Sequence, residues 1–437
     1  MKAMTILVFN SGSSSLKFSF FRMESSFFDE DIDPESFTET ILNESAPAET
    51  FELKTLLEGE IELFKKADKN KDKDLDSNNF YIKDANNATV HLATISVVTH
   101  TDAVLHIIRY IASFDTPVPH AIAHRVVHGG PNLLHHCLIN DKVVRELVLM
   151  SVFAPLHNQA ALEIIQFARQ AFPKLPQIAC FDTTFHANLP DVTKILPVAS
   201  ALQTLGIHRY GFHGLSCESV ITQLNNAAHL RSAKRLIIAH LGSGCSVTAV
   251  KEGQSIDTSM GFTPSSGVMM GTRGGDIDPG VLIYLMREKN YDLNAIDALI
   301  NHQSGLLGVS GVSSDMRILH KAAATNVNAQ LAIDMFCYSI AKQIGAMTTA
   351  LNGIDTLVFT GGIGEHDAVA RQLICDHLAY LKIELIDEGD ANISITIKEN
   401  IQTISAANSA CAVRVINTQE NAQIARHAAI LLELIPA

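Results

Sequence analysis

The chain has 437 residues, 47% of them hydrophobic and 18% charged, with a formal net charge of −13. That length exceeds one ordinary core, so two domains are expected, each able to bury an interior without disulfides or structural metals. The acidic balance excludes a polyanionic partner such as nucleic acid, which selects for a basic face.

Along the chain, a strand from Thr5 to Phe9, a turn rich in Gly and Ser, and a strand from Leu16 to Phe21 predict a hairpin. From about Glu24 to His100 the sequence is acidic and Asn-rich without a sustained period, so a mostly surface insertion with a few short elements is expected there. Inside it, Asp68-Lys-Asn70-Lys-Asp72-Lys-Asp74 alternates oxygen ligands as a calcium loop does. It carries Lys73 where such a loop needs Gly and reaches Asn79 where it needs Glu, so a solvated charged loop is the expectation. After Thr101 the alternation becomes regular. Helical periods run near Asp102 to Ser113, Asn158 to Phe172, Leu215 to Ala228, Asn326 to Leu351 and Gln419 to Leu434. They are separated by apolar strands at Ala121 to Val127, Gln177 to Phe181, Arg235 to His240 and Thr356 to Thr360. This is an α/β layout with helices packed on mixed sheets. Apolar runs such as Leu236 to Ala239 have strand length, so no membrane span is expected. The N-terminal stretch MKAMTILVFN reads as strand, not leader, which predicts a cytoplasmic protein. The seven cysteines (137, 180, 217, 245, 337, 375 and 411) stand singly, so reduced buried thiols are expected in place of a disulfide framework or a zinc site.

Several stretches carry chemistry. The turn from Asn10 to Ser15 offers hydroxyls, among them Ser13 and Ser15, with Lys17 two residues on, at the C-terminal end of a strand; a plain Ser-rich hairpin is the alternative. Leu241-Gly-Ser-Gly-Cys-Ser after the strand ending at His240 echoes it, and a duplicated strand–turn–strand that presents backbone N–H groups to phosphate accounts for both. In His124-Arg-Val-Val-His-Gly-Gly130, period two puts Arg125 and Val127 on one face, a fork for a carboxylate beside a small apolar wall, with a buried structural Arg as the rival reading. The loop from Gly261 to Gly280 is Gly-rich yet holds Arg273 and two Asp, and Asp278-Pro279 starts a helix as N-cap and first residue. Thr360-Gly-Gly-Ile-Gly-Glu365 is a glycine turn between a strand and a helix near Ala368, where the backbone can approach a nucleotide closely. Ser313-Ser-Asp-Met-Arg317 offers a carboxylate and a guanidinium. His157, His213 and His240 lie at strand edges or tight turns.

Together these stretches resemble the acetate kinase family, within the superfamily of sugar kinases, Hsp70 and actin. The matching segments, NSGSSSLKF, HRVVHGG, APLHN, FDTTFH, RYGFHG, HLGSG, DTSMGFTP with GTRGGDIDPG, and TGGIGE, occur in the family order. The resemblance implies two actin-like, ribonuclease H-like domains of mixed sheets flanked by helices around an interdomain cleft. One is expected over 1–185, with the insertion at about 24–100 and completed by the helix 419–437, and a nucleotide-binding one over 186–418. It implies reversible transfer of the γ-phosphate of ATP to acetate, giving acetyl phosphate and ADP, with Mg²⁺ (or Mn²⁺) as cofactor and a homodimer as assembly. Asn10 and Glu420 match the metal-binding positions. Arg125 and Arg273 match those that bind the carboxylate and the transferring phosphoryl group, and Asp182 and His213 stand beside them, with His213 bonding to the phosphoryl oxygens. Val127, Leu156 and Pro264 match the pocket for the methyl group. Ser13, Ser15, Lys17 and His157 match phosphate-binding positions, as do the nucleotide stretches His240, Leu241, Gly242, Ser243, Gly244; Asp315, Met316, Arg317; and Gly361, Gly362, Ile363, Gly364, Glu365. The chain departs from the family where Ser243 replaces a usual Asn, where TPSSG replaces a commoner Thr-Pro-Leu-Glu-Gly, and where Gln419-Glu-Asn421 thins an acidic cluster. A propionate or butyrate kinase is the alternative within the family; a nucleotide-binding member without kinase activity is the alternative outside it.

The chemistry fits that resemblance. A carboxylate with a pKa of roughly 4 is already ionised near neutral pH, so no strong base is required and the task is positioning and charge neutralisation. Direct transfer without a phosphoenzyme is expected, with Asp182 as an orienting group.

Overall fold

A computed structural model describes residues 4–12, 15–24, 52–62, 78–95, 97, 99–113, 117–151, 155–227, 234–386, 397–398 and 400–432. The chain forms two compact units, Met1–Phe181 with Glu420–Ala437, and Asp182–Gln419.

In the first unit, β1 (Met4–Ser11) turns back into β2 (Ser15–Glu24), with Asn10 opposite Lys17. The hairpin is longer than expected, and Asn10 and Ser11 belong to the strand. Antiparallel pairing continues outward through β3 (Glu52–Glu62), β4 (Asn78–Asp84) and β5 (Thr89–Ile95). On its other side β1 pairs in parallel with β6 (Ala121–Val126) and β6 with β8 (Gln177–Phe181), while the short β7 (Cys137–Leu138) runs antiparallel at the edge. The order is β5-β4-β3-β2-β1-β6-β8-β7. Every residue of β8 is buried, and in β6 every residue but Arg125, as parallel strands covered on both faces require. Helices α1 (His100–Ser113), α2 (Asp141–Met150) and α3 (Pro155–Ala171) accompany the sheet.

Residues 24–100, expected as a mostly surface insertion with a few short elements, supply three strands of the sheet where they are described, and four buried side chains of those strands enter its core. Leu57, Ile61, Phe80 and Ile82 sit in one core with Leu7, Phe9, Phe18, Phe20, Val104 and Ile107. Two features hid β3. Phe20 faces Leu57 whereas Phe21 faces Thr55, so Leu56 is the extra residue of a bulge and interrupts the alternation. Gly59 is the second: a Cβ there would overlap the Tyr81 carbonyl oxygen and lie 2.6 Å from Phe18 Cε1. A glycine that reads as a breaker is the gap into which the Phe18 ring fits. The charged run from Asp68 to Asp74 lies outside the described residues; Asn79 is on β4, and its amide donates to Glu62 Oε2 at 3.0 Å.

The second unit repeats the plan. After α4 (Gly214–Asn226) come β9 (Arg235–Leu241), β10 (Cys245–Lys251) and β11 (Gln254–Thr258) as an antiparallel meander. Helices α5 (Pro279–Glu288), α6 (Leu293–His302), α7 (Gly305–Ser310), α8 (Met316–Ala323) and α9 (Val327–Leu351) follow. Then β12 (Thr356–Thr360) pairs in parallel with β9, α10 (Gly361–His366) and α11 (Ala368–Asp376) intervene, and β13 (Ile397–Lys398), β14 (Ile401–Thr403) and β15 (Ala412–Ile416) complete the order β11-β10-β9-β12-β15-β14-β13. Asp278 caps α5, accepting from Gly280 N at 2.8 Å, with Pro279 first in the helix. Finally α12 (Glu420–Leu431) packs on β1, β2, β6 and β8 of the first unit.

Both sheets share one kernel: an antiparallel meander whose first strand is central, then two strands parallel to it. This is the ribonuclease H-like arrangement of actin-like domains, an α/β fold of mixed sheets flanked by helices. The turn after β1 and the turn after β9 therefore occupy equivalent places. No helix of the described residues is long and apolar enough to cross a membrane.

Candidate active site

In the second unit the groups gather at the turn between β9 and β10. Gly242 N donates to Gly244 O at 3.0 Å, which closes the turn around Ser243. His213, just before α4, has a left-handed backbone with φ of 58°, unusual for a residue with a side chain. Its neighbour secures it: Gly214 N donates to the Asp182 carbonyl at 2.9 Å, and a Cβ on Gly214 would overlap that oxygen. Asp182 is buried, and its carbonyl fixes where α4 begins. From behind, His186 Nε2 donates to the Phe212 carbonyl at 3.1 Å, leaving Nδ1 to accept from Ser255 Oγ at 2.8 Å. Burial pushes the His186 pKa down to about 4, so this strut is uncharged at neutral pH.

The His213 ring stacks on that of His240, with centroids 4.1 Å apart and planes 23° from parallel. His213 Nδ1 lies 3.0 Å from Ser246 Oγ and His240 Nδ1 lies 2.8 Å from Ser216 Oγ. Their other nitrogens approach the turn. A Cβ built on Gly244 would stand 3.4 Å from His213 Nε2 and 3.5 Å from Arg273 Nη1, and one on Gly242 would stand 3.8 Å from His240 Nε2 and 4.0 Å from Gly362 N. Two glycines thus keep open a space rimmed by two imidazoles, a guanidinium and backbone amides.

Arg273 reaches that rim from the loop of residues 261–280. Its Nη1 donates to Pro264 O at 3.0 Å, which couples the predicted pocket residue Pro264 to the guanidinium through its carbonyl. Thr272 Oγ1 donates to Asn301 O at 2.8 Å, Ser304 N to Thr272 O at 3.0 Å, and Met270 N to Arg273 O at 3.0 Å, so α6 and α7 hold the loop. Burial depresses the Arg273 pKa below the ordinary guanidinium range. An anion on the rim would offset that penalty.

The remaining stretches that the sequence marks as candidates for nucleotide binding lie around the same turn. Gly271 N donates to Ser243 O at 3.4 Å, and a Cβ on Gly271 would touch Ser314 at 3.4 Å. Asp315 caps α8: its Oδ1 accepts from Arg317 N at 2.8 Å while Oδ2 meets the exposed Arg317 guanidinium at 2.6 Å, and Met316 is buried. The glycine turn expected at 361–365 is instead helix α10, entered directly from β12. Gly361 makes this corner with φ of 77°, a conformation open to glycine. Glu365 Oε1 is taken by Gly361 N at 2.9 Å and Thr418 N at 3.0 Å, so this carboxylate organises backbone; Ile363 and Gly364 lie within the helix and Gly362 has open space before it.

In the first unit a second cluster forms. Asn10 Nδ2 donates to Glu420 Oε2 at 3.1 Å and to Asn421 Oδ1 at 2.9 Å, while Arg125 Nη1 donates to Asn10 Oδ1 at 3.1 Å and lies 3.8 Å from Glu420 Oε2. The parallel register of β1 and β6 sets Phe9 beside His124, which brings Asn10 level with Arg125; α12 supplies Glu420. Val127 is buried one residue beyond β6. Asn158, which the sequence did not single out, fixes this strand end by accepting from His128 N at 3.2 Å and donating to His128 O at 2.8 Å. Ser15 O accepts from Gly12 N at 2.8 Å, and Lys17 is exposed opposite Asn10. Ser13 and the side chains of Leu156 and His157 lie outside the described residues. Ser216, Ser246 and Thr418 were also missed; only their nearness to His213, to the β9–β10 turn and to Glu420 hinted at them.

Two ribonuclease H-like units, one of them bearing an Arg- and His-rimmed glycine turn, define a phosphotransferase of the actin-like class. The chain belongs to the acetokinase family, whose sequence profile matches residues 5–426. It is 43% identical over 339 residues to the acetate kinase of Acaryochloris marina, covering 76% of this chain and 83% of that one. Among solved structures, a propionate kinase from Francisella tularensis aligns with a TM-score of 0.79 at 33% identity, covering 97% of this chain and 98% of that one. The acetate kinase of Porphyromonas gingivalis aligns with 0.76 at 31%, covering 98% and 100%.

Proposed function

We propose that this chain transfers the γ-phosphoryl group of ATP to acetate, reversibly and directly, forming acetyl phosphate and ADP. The observation that carries the reading is the convergence of Arg273 Nη1 and His213 Nε2 on Gly244, at a turn bounded by the amide of Gly242 and the start of α10. Phosphoryl transfer needs positioned donors for the charge spread over the equatorial oxygens, and an Arg, imidazole N–H groups and the Gly362 amide at the start of α10 are such donors. The acceptor carboxylate is ionised at neutral pH and attacks without a base, while the bond from phosphorus to the ADP oxygen breaks. Arg125 would hold that carboxylate by its fork, with Val127 against the methyl. Asp182 orients the start of α4 through its carbonyl. Asn10 and Glu420 would hold the metal: the hydrogen bond between their side chains makes them neighbours, and the Asn10 amide oxygen and the Glu420 carboxylate are hard oxygen donors suited to Mg²⁺, or to Mn²⁺. When bound, the ion neutralises charge on the ATP phosphates.

A second reading within the family, preference for propionate, is favoured by the likeness to the Francisella propionate kinase. One methylene is worth about 1 to 3 kcal/mol of discrimination, so turnover of both acids is expected, acetate leading. A cytoplasmic homodimer completes the proposal; exposed Ile283, Tyr284, Leu331, Met335 and Tyr338 support an interface on the second unit.

The test mixes protein, ATP, Mg²⁺ and each short carboxylate and traps acyl phosphate as the hydroxamate. No product from any acid sinks the kinase reading, and a chelator that leaves the rate unchanged sinks the metal assignment. A stable aspartyl phosphate would refute direct transfer.

A further inference from the structure

The two stacked histidines each have one nitrogen toward the glycine turn and the other on a serine hydroxyl, and those hydroxyls determine where the ring protons lie. Ser246 is fully buried, and among the described residues its Oγ has one partner, His213 Nδ1 at 3.0 Å. Ser216 is fully buried too. Its Oγ accepts the Thr418 hydroxyl at 3.0 Å and lies 2.8 Å from His240 Nδ1, with no further partner among the described residues.

A serine hydroxyl carries one proton. If His213 Nδ1 bore a hydrogen, Ser246 would accept it and its own proton would be left buried without an acceptor, at a cost of about 1–3 kcal/mol. The same count holds for Ser216, whose second lone pair is already engaged by Thr418. Each hydroxyl satisfies itself only by donating to the imidazole, which leaves Nδ1 as acceptor and the ring hydrogen on Nε2. Thr418 is in turn held by Glu365, whose Oε1 accepts its backbone N–H at 3.0 Å. Both Nε2 atoms approach the turn, toward Gly244 and Gly242.

We propose that Ser246, and Ser216 with Thr418, are positioning residues that lock His213 and His240 in the Nε2–H tautomer, so that both rings present N–H donors to phosphate oxygens. Resting on the kinase reading, this explains why the donors need no second proton. Two imidazolium rings stacked at 4.1 Å would repel, whereas two Nε2–H rings give the same hydrogen bonds without that charge. The opposite tautomer would turn a lone pair toward the phosphate.

The test is a long-range ¹H–¹⁵N spectrum of the full-length protein with ¹⁵N-labelled histidine at pH 7.5 without nucleotide, with His213→Gln and His240→Gln for assignment. Both wild-type rings should show the Nε2–H pattern. Ser246→Ala should turn His213 into a tautomer mixture and lower kcat by about tenfold or more, the worth of one hydrogen bond to a charged group, with KM for ATP changed far less. Ser246→Thr, which restores the hydroxyl, should restore both readouts. An Nδ1–H pattern at either wild-type ring, or a His213 pattern unmoved in Ser246→Ala, overturns the proposal. The spectra need no turnover, so a wild-type protein that forms no hydroxamate defeats the kinase reading alone.

Discussion

Gly244→Ala separates catalysis from stability at the point where the candidate site converges. The new Cβ would stand 3.4 Å from His213 Nε2 and 3.5 Å from both His213 Cε1 and Arg273 Nη1, ordinary contact distances, and the Gly244 backbone lies outside the left-handed region. Nothing has to move to admit the methyl. Removing a glycine at a compatible position restricts the unfolded chain and stabilises by about 0.4–1 kcal/mol. For units of this size that raises Tm by about 1–4 °C. The same methyl occupies the space in which a phosphate oxygen would lie about 2.9 Å from these nitrogens. Losing one such charge-assisted bond costs about 1.5–3 kcal/mol, a fall of roughly 10- to 100-fold in kcat/KM, and losing both multiplies it. Thermal unfolding and the hydroxamate assay on one preparation measure the two effects. Kinetics within twofold of wild type would refute the assignment of the turn, and a Tm several degrees lower would refute the claim that the methyl fits.

Arg125→Ala and Arg273→Ala should each lower turnover by about 10²–10³-fold with an unchanged circular dichroism spectrum, and a near-normal rate in either removes that residue from the site. Gly59→Ala should lower stability by about 1–3 kcal/mol in urea titrations, through overlap with the Tyr81 carbonyl and the Phe18 ring, while KM values stay at wild type. Burial pushes His124 and His186 down to about 4. An unfolded histidine titrates near 6.5, so below that pH the unfolded chain takes up protons that the folded chain refuses, and stability falls as pH drops from 6.5 toward 4. At pH 5 each contributes a loss of about 2 kcal/mol. Urea midpoints at pH 7.5 and 5 should differ less in His186→Gln than in wild type, since Gln can still donate to Phe212 O; an equal difference contradicts the assignment. For Ser243→Asn an unchanged or lower KM for ATP is expected, and a large increase would show that the surrounding loops are fitted to serine.

What the sequence alone determined is what short-range physics writes into it. The β1–β2 hairpin follows from two apolar runs about a Gly-Ser turn, strands β8 and β12 from apolar runs whose ends match the expectation, and the start of α5 from Asp278-Pro279. The ordered motifs also carried the family. The tertiary structure decided the rest. Strand β3 escaped notice because its alternation is broken by a bulge at Leu56 and by Gly59, and both make sense only against Phe20, Phe21 and Phe18 on the neighbouring strand. The pairing of Asn10 with Glu420 joins residues 410 apart, and Thr418 meets Ser216 across 202. Hydroxyls that hold an imidazole leave no periodic trace, because one hydrogen bond constrains a single side chain and not a repeating face. Which residues could bear the chemistry was local information; which nitrogen faces the glycine turn depends on strands and helices that only folding brings together.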